Sequence, residues 1–209
     1  MGIDAVQELS DLDILRQIRD ANPDSVLNTD KTWIENTVLT AWLESRDPNT
    51  WWGVTWNNGR VEGLTFHDYG VGPTNIYTLP NINLLSRLKE IKTEYSLQQN
   101  VILSGLNYLQ KAELYSNNSY DKTLDISNCP NLIELIAYGN SFASVNISGC
   151  QSLTKLILVR NTLSQLSTLT SKGLITEYDF TYNNFSTAEL DRLRTLGFTD
   201  ESKLLPQYI

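Results

Sequence analysis

The sequence predicts an α/β solenoid: short stacked units whose strands form one parallel sheet on a concave side, with a helical cap at each end. Three observations predict it. The segment LDISNCPNLIEL at 124–135 returns as VNISGCQSLTKL at 145–156, and self-similarity at a short fixed period is the signature of stacked repeats. Alternate residues in each repeated strand are apolar, the period-two pattern of a strand with one buried face. Helix-period stretches flank the repeats on both sides. At 209 residues the chain suits one domain that buries a core without disulfide or metal staples.

Residues 1–60 read as an N-terminal cap. Leu12, Leu15 and Ile18, with Leu9, recur at helix spacing over 9–20, and Ser10 is placed to cap that helix. All five tryptophans, Trp33, Trp42, Trp51, Trp52 and Trp56, fall here. A plug over an open solenoid end would bury them; exposed, they would stack on sugars. Asn58-Gly59 between apolar runs signals a hairpin turn.

Residues 61–185 hold about six repeats. Leu124, Ile126, Leu132, Leu135, Ala137, Asn140 and Phe142 recur as Val145, Ile147, Leu153, Leu156, Leu158, Asn161 and Leu163, every pair 21 apart. A further unit offers Leu174, Tyr178, Phe180, Asn183 and Phe185, with one residue inserted. Upstream, Val101, Leu103, Leu106, Leu109, Ala112, Leu114 and Asn117 fit, and weaker units begin at Leu88 and Val61. Each unit is expected to hold one short strand. The asparagine sits where the chain leaves that strand, where a buried amide satisfies main-chain groups of neighbouring turns. Residues 186–209 read as a closing helix and tail. Ser186 or Thr187 is the expected N-cap, Glu189 completes a capping box, Leu190, Leu193 and Leu196 form the buried stripe, and Gly197 ends the helix.

The shared pattern, L-x-x-L-x-L-x-x-N-x-L, resembles the leucine-rich repeat family over 61–185, most strongly in the last three units. The resemblance implies a right-handed solenoid. The W-x-G-V-T-x…-R-V-x-x-L skeleton over 51–64 looks like the N-terminal cap of many plant-type and bacterial arrays. Caps of that type often carry a cysteine pair flanking this stretch; Trp51 and Trp56 stand in those places, which implies an aromatic plug. The 21-residue style is similar to bacterial secreted and surface repeat proteins of the internalin-like type. That likeness implies a protein-recognition module displayed outside the cell.

A net charge of −8 and a pI near 4.6 repel phosphate backbones, so no nucleic-acid partner is expected. No apolar run approaches the roughly 20 residues of a membrane span. The start MGIDAVQELSDLDILRQ lacks a secretory signal, so an extracellular location requires a leader removed beforehand. Cys129 and Cys150 hold the same repeat position, which puts them on adjacent turns about 5 Å apart. Parallel side chains there would strain a disulfide, and Leu106 and Leu85 precede them in the column, so buried thiols are expected. The alternatives are a disulfide and a metal site. Zinc wants four ligands, and the only histidine, His67, lies three units away. Any Ser-His-Asp arrangement would need His67, which the pattern places outward beside Asp68. Gly70, Gly72 and Pro73 lack the G-K-[ST] of a phosphate loop. No catalytic residue, metal or cofactor is expected.

The outward strand positions carry the functional reading. One column runs Glu90, Lys111, Glu134, Lys155, Glu177, alternating in sign; exposed pairs contribute about 0–1 kcal/mol each, so the alternation serves register. The next columns run Thr65, Lys92, Glu113, Ile136, Ile157, Asp179 and His67, Glu94, Tyr115, Tyr138, Val159, Thr181. Ile136 and Ile157 beside Tyr115, Tyr138 and Val159 predict an apolar patch rimmed by Arg160, Asp179, Glu113 and Tyr182. Such a patch fits a non-catalytic module binding a protein ligand on its concave face, as a monomer or weak homo-oligomer. Strong β-propensity alone, or self-association, is the plainer reading. A carbohydrate-binding or adhesion module using exposed cap tryptophans is the alternative function.

Overall fold

The computed structural model describes residues 9–23, 31–32, 38–39, 42, 47–66, 78–94, 100–115 and 122–208. The chain is a β-solenoid of stacked parallel strands. After α1 (Asp11–Asp20), β1 (Lys31–Thr32) and β2 (Val38–Leu39) pair antiparallel. β3 (Val54–Asn57) and β4 (Arg60–Phe66) form a hairpin around Asn58-Gly59, both at positive φ. β4 then leads into β5 (Glu90–Glu94), β7 (Lys111–Tyr115), β9 (Glu134–Tyr138), β11 (Lys155–Ile157) and β12 (Glu177–Asp179). These make a seven-stranded sheet, parallel except for β3.

The expected single strand per unit is corrected. β6 (Val101–Ile102), β8 (Lys122–Asp125) and β10 (Phe142–Asn146) form a second, three-stranded parallel sheet. Val101, Leu124 and Val145 share a register row and are buried, while Asp125 and Asn146 occupy the next row. The chain passes to the following strand through short polar turns. Asp125 Oδ1 accepts the Ser127 N–H at 3.1 Å and Asn146 Oδ1 that of Ser148 at 3.2 Å. Asn128 and Gly149 follow at φ 55° and 79°. A Cβ on Gly149 would lie 2.9 Å from Asn128 Oδ1 and 3.2 Å from its main chain, so only glycine fits there.

The α/β class with helical caps is likewise corrected, because the fold is mostly sheet with two short helices. A unit that spends its residues on two strands and two turns has no room for the roughly 11-residue helix of an α/β repeat. α1 and α2 (Thr187–Thr195) have ten and nine residues, and the sheet edges are closed by other chain. At one edge lies β3. At the other, residues 203–208 run along the last rung. Phe180 N–H donates to the Lys203 carbonyl at 2.8 Å, Tyr182 N–H to that of Pro206 at 2.6 Å, and Tyr208 N–H to that of Asn183 at 2.6 Å. Glu189 also departs from expectation. Ser186 accepts its N–H at 3.2 Å, but its carboxylate accepts from Leu166 N–H and Arg192 rather than closing a capping box.

Buried side chains run the length of the solenoid. Leu85, Leu106 and Cys129 are buried in one column, and Leu88, Leu109, Leu132 and Leu153 in the next. Both cysteines are free. The Cys129 thiol donates to the Leu103 carbonyl at 3.2 Å, and that of Cys150 to the Ile126 carbonyl at 3.1 Å. Cys150 is only half-buried, against the expectation that both would be shielded.

An amide ladder threads the rungs. Asn140 donates to the Leu114 carbonyl at 2.7 Å, Asn161 to that of Ala137 at 2.7 Å, and Asn183 to that of Leu158 at 2.8 Å. Asn161 Oδ1 accepts the Phe142 N–H at 3.1 Å and Asn183 Oδ1 that of Leu163 at 3.2 Å. Asn117 lies outside the described residues. At the N-terminal end, Trp42 and Trp51 stack at 5.6 Å with planes 10° apart, and Phe66 packs on Trp42 at 5.8 Å. The buried Asp11 carboxylate ties α1 to β4, accepting the Val61 N–H at 2.8 Å and Arg60 Nε at 3.0 Å.

Candidate functional site

The register of the long sheet brings together the outward columns expected from the spacing. Glu90, Lys111, Glu134, Lys155 and Glu177 are successive neighbours. Lys155 reaches Glu177 at 2.7 Å, but Lys111 sits 2.9 Å from Glu113 on its own strand and only 3.8 Å from Glu134. Hydrogen bonds donated to Glu113 and Glu177 respectively hold the Lys111 and Lys155 ammonium groups above the ordinary lysine range. In the second column Thr65, Lys92, Glu113, Ile136, Ile157 and Asp179 follow one another across the sheet. The polar run therefore breaks at its centre. Ile136 and Ile157 stand side by side, half-exposed, between Glu113 and Asp179.

In the third column Glu94, Tyr115 and Tyr138 are neighbours. Lys92 pairs with Glu94 at 3.0 Å and its Nζ lies 5.8 Å from the Tyr115 ring centroid. Burial first, then the nearby Glu113 charge, pushes the Tyr115 phenol up. Val159 does not join the patch: it is only 8% exposed, because β11 ends at Ile157 and the chain is already turning inward. His67 lies outside the described residues.

Arg160 and Tyr182 meet in a way the sequence reading missed. Both occupy the turn that follows a strand, at φ 57° and 58°, where Gly139 stands one unit earlier at 70°. The Arg160 guanidinium carbon lies 5.7 Å from the Tyr138 centroid and 5.5 Å from that of Tyr182, and Tyr182 lies 5.9 Å from Tyr208. A stripe of Tyr138, Arg160, Tyr182 and Tyr208 thus borders the isoleucine pair. Asp179 is occupied: its Oδ1 accepts from Thr181 N–H and hydroxyl at 3.0 and 2.7 Å, and its Oδ2 is 3.6 Å from Lys203 Nζ. The signal for Tyr208 and Lys203 was the last rung itself, which the helix at 187–195 interrupts.

The described cap tryptophans divide into two buried and two partly exposed. Trp42 and Trp51 are buried, and Trp52 and Trp56 are half-buried, with Trp56 Nε1 donating to the Pro48 carbonyl at 2.8 Å. Trp33 lies outside the described residues, as do Gly70, Gly72 and Pro73. Elsewhere an open groove of about 490 Å³ lies between Ile147–Leu153 and Thr168–Ile175, with Cys150 and Lys172 in its wall. Burial pushes the Cys150 thiol up to about 11, which suppresses the thiolate. Among the described residues no group of three or more His, Cys, Asp or Glu side chains could hold a metal, and no helix is long and apolar enough to cross a membrane.

Comparison of the chain with family models, with curated proteins and with solved structures finds no match in any of the three.

Proposed function

We propose that this chain is a non-catalytic recognition module that binds a protein partner on the outward face of its long sheet. One observation carries the reading: the polar second column is interrupted at its centre by the adjacent, half-exposed Ile136 and Ile157, with Tyr138 beside them. An apolar centre ringed by charge is the anatomy of a protein interface. The support beneath it is rigid, since each strand is hydrogen-bonded on both sides, so little ordering entropy is lost on binding. The repeat pattern supports a leucine-rich repeat of the internalin-like type, and with it display at a bacterial cell surface or secretion, as a monomer or weak homo-oligomer. The sugar-binding alternative loses support from the burial of Trp42 and Trp51.

The test is a binding screen of purified extracellular proteins against the wild type and the double variant Tyr138→Glu, Ile157→Glu. The expected result is a partner whose affinity falls at least about tenfold in the variant, the scale of a lost hot spot. Unchanged affinity in a variant with unaltered thermal unfolding overturns the reading.

A further inference from the structure

Among the described residues, the cations on the outward face of the long sheet are matched to carboxylates, with one exception. Lys92 has Glu94, Lys111 has Glu113, Lys155 has Glu177 and Lys203 has Asp179, at 2.7–3.6 Å. Arg160 is exposed, and among the described residues its guanidinium makes no ion pair and no hydrogen bond. It is nevertheless held in place. Tyr138 and Tyr182 contact it within cation–π range. Its main-chain N–H donates to the Thr181 carbonyl at 3.1 Å, and the next residue is the fully anchored ladder amide Asn161. The turn holds arginine in the left-handed region, where a side chain costs on the order of 1 kcal/mol relative to glycine.

A guanidinium that contacts aromatic rings and spends none of its N–H groups on them keeps those donors for other acceptors. Those donors form a planar fork that matches a carboxylate in two parallel hydrogen bonds. In a chain of net charge −8, an unmatched arginine fixed at the border of an apolar patch is a positive feature in a negative field. We infer that Arg160 is the anchor for a side-chain carboxylate of the partner, so that the surface recognises a protein segment with an Asp or Glu next to an apolar residue. The apolar residue packs on Ile136 and Ile157, and the acid reaches Arg160. This inference rests on the recognition face proposed above and names the chemistry it selects.

The probe is a library of random displayed peptides with their C-termini fused, so that only side-chain carboxylates are offered. It is selected on the wild type, R160Q, R160E and Tyr138→Glu, each first shown to keep the wild-type thermal transition. The expected wild-type pool is enriched in Asp or Glu beside an aliphatic or aromatic residue. Synthetic peptides from that pool bind R160Q at least about tenfold more weakly, and R160E selects Lys or Arg in place of the acid. R160K, which keeps the charge but loses the fork, recovers only part of the affinity. A pool without acidic enrichment, a failure to enrich any peptide, or peptides that bind R160Q as well as wild type would overturn the inference. Apolar peptides lost on Tyr138→Glu but kept on R160Q refute the carboxylate anchor and leave the face standing; peptides indifferent to both variants refute both.

Discussion

Gln207 Oε1 accepts the main-chain N–H of Asn183 at 3.1 Å, while Gln207 Nε2 donates to the Phe180 carbonyl at 3.0 Å and to that of Leu204. A glutamine thus closes the ladder that Asn140, Asn161 and Asn183 build, and residues 198–208 act as a last rung. The ladder sets the first prediction. Asn161→Ala leaves the buried Phe142 N–H and Ala137 carbonyl without partners and lowers stability by about 2–4 kcal/mol. Gln207→Ala, nearer the surface, costs about 1–2 kcal/mol. Asn184→Ala, exposed, stays within about 0.5 kcal/mol of wild type. Urea unfolding measures all three.

The second prediction concerns acid. Burial opposes the charge on Glu189, but hydrogen bonds from Arg192 at 2.6–2.7 Å and from the Leu166 N–H at 2.8 Å outweigh it and hold the carboxyl below its ordinary 4.5. Its folded pKa being depressed, its contribution is complete above pH 4.5 and lost as pH falls through the folded value. The stability advantage of wild type over Glu189→Gln, followed by thermal unfolding, is therefore constant near neutrality and shrinks below pH 4.5. An advantage that persists undiminished in acid contradicts the ion pair.

Lys122 provides the third, at the alkaline end. It is 3% exposed at the start of β8, and burial pulls its ammonium down to about 8 from 10.5. Between those values the unfolded chain holds a proton that the folded chain has lost, so stability rises with pH. The difference between Lys122→Met and wild type narrows as pH climbs from 8 towards 10.5. A difference independent of pH across that range means that the lysine is already solvated.

The thiols give the fourth. Burial raises both above the ordinary cysteine range, and Cys129 is fully buried while Cys150 lines the open groove. Near neutral pH the native protein resists alkylation at both, with Cys150 reacting first, and denaturant makes them equally fast. Mass spectrometry of the alkylated peptides reads the order; Cys129 reacting first would contradict the rung packing.

The sequence revealed the strand register because the spacing of 21 survives from Leu124 to Leu163, and that spacing alone puts Ile136 beside Ile157. It failed where tertiary docking decides. The helix signals at 9–20 and 186–197 are local, but closure of the sheet edge depends on residues 203–208, whose rung is displaced by α2 and carries a glutamine where the preceding rungs carry asparagine. The second sheet was hidden because its strands follow the same alternation as the turns around them. Val159 fits an outward column by count, yet the left-handed turn at Arg160 takes it inward. The same turn brings Arg160 between two tyrosines that are distant in sequence, a contact with no local signature.

The isoleucine methyl groups test the recognition face most directly. Ile136 and Ile157 lie at its centre, whereas Ile102 and Ile133 are exposed elsewhere, at 53% and 43%. With isoleucine methyls labelled, a protein partner obtained from the binding screen is titrated in and the spectra compared. The account predicts shifts at Ile136 and Ile157 with Ile102 unmoved; shifts at Ile102 with Ile136 and Ile157 unmoved would contradict it.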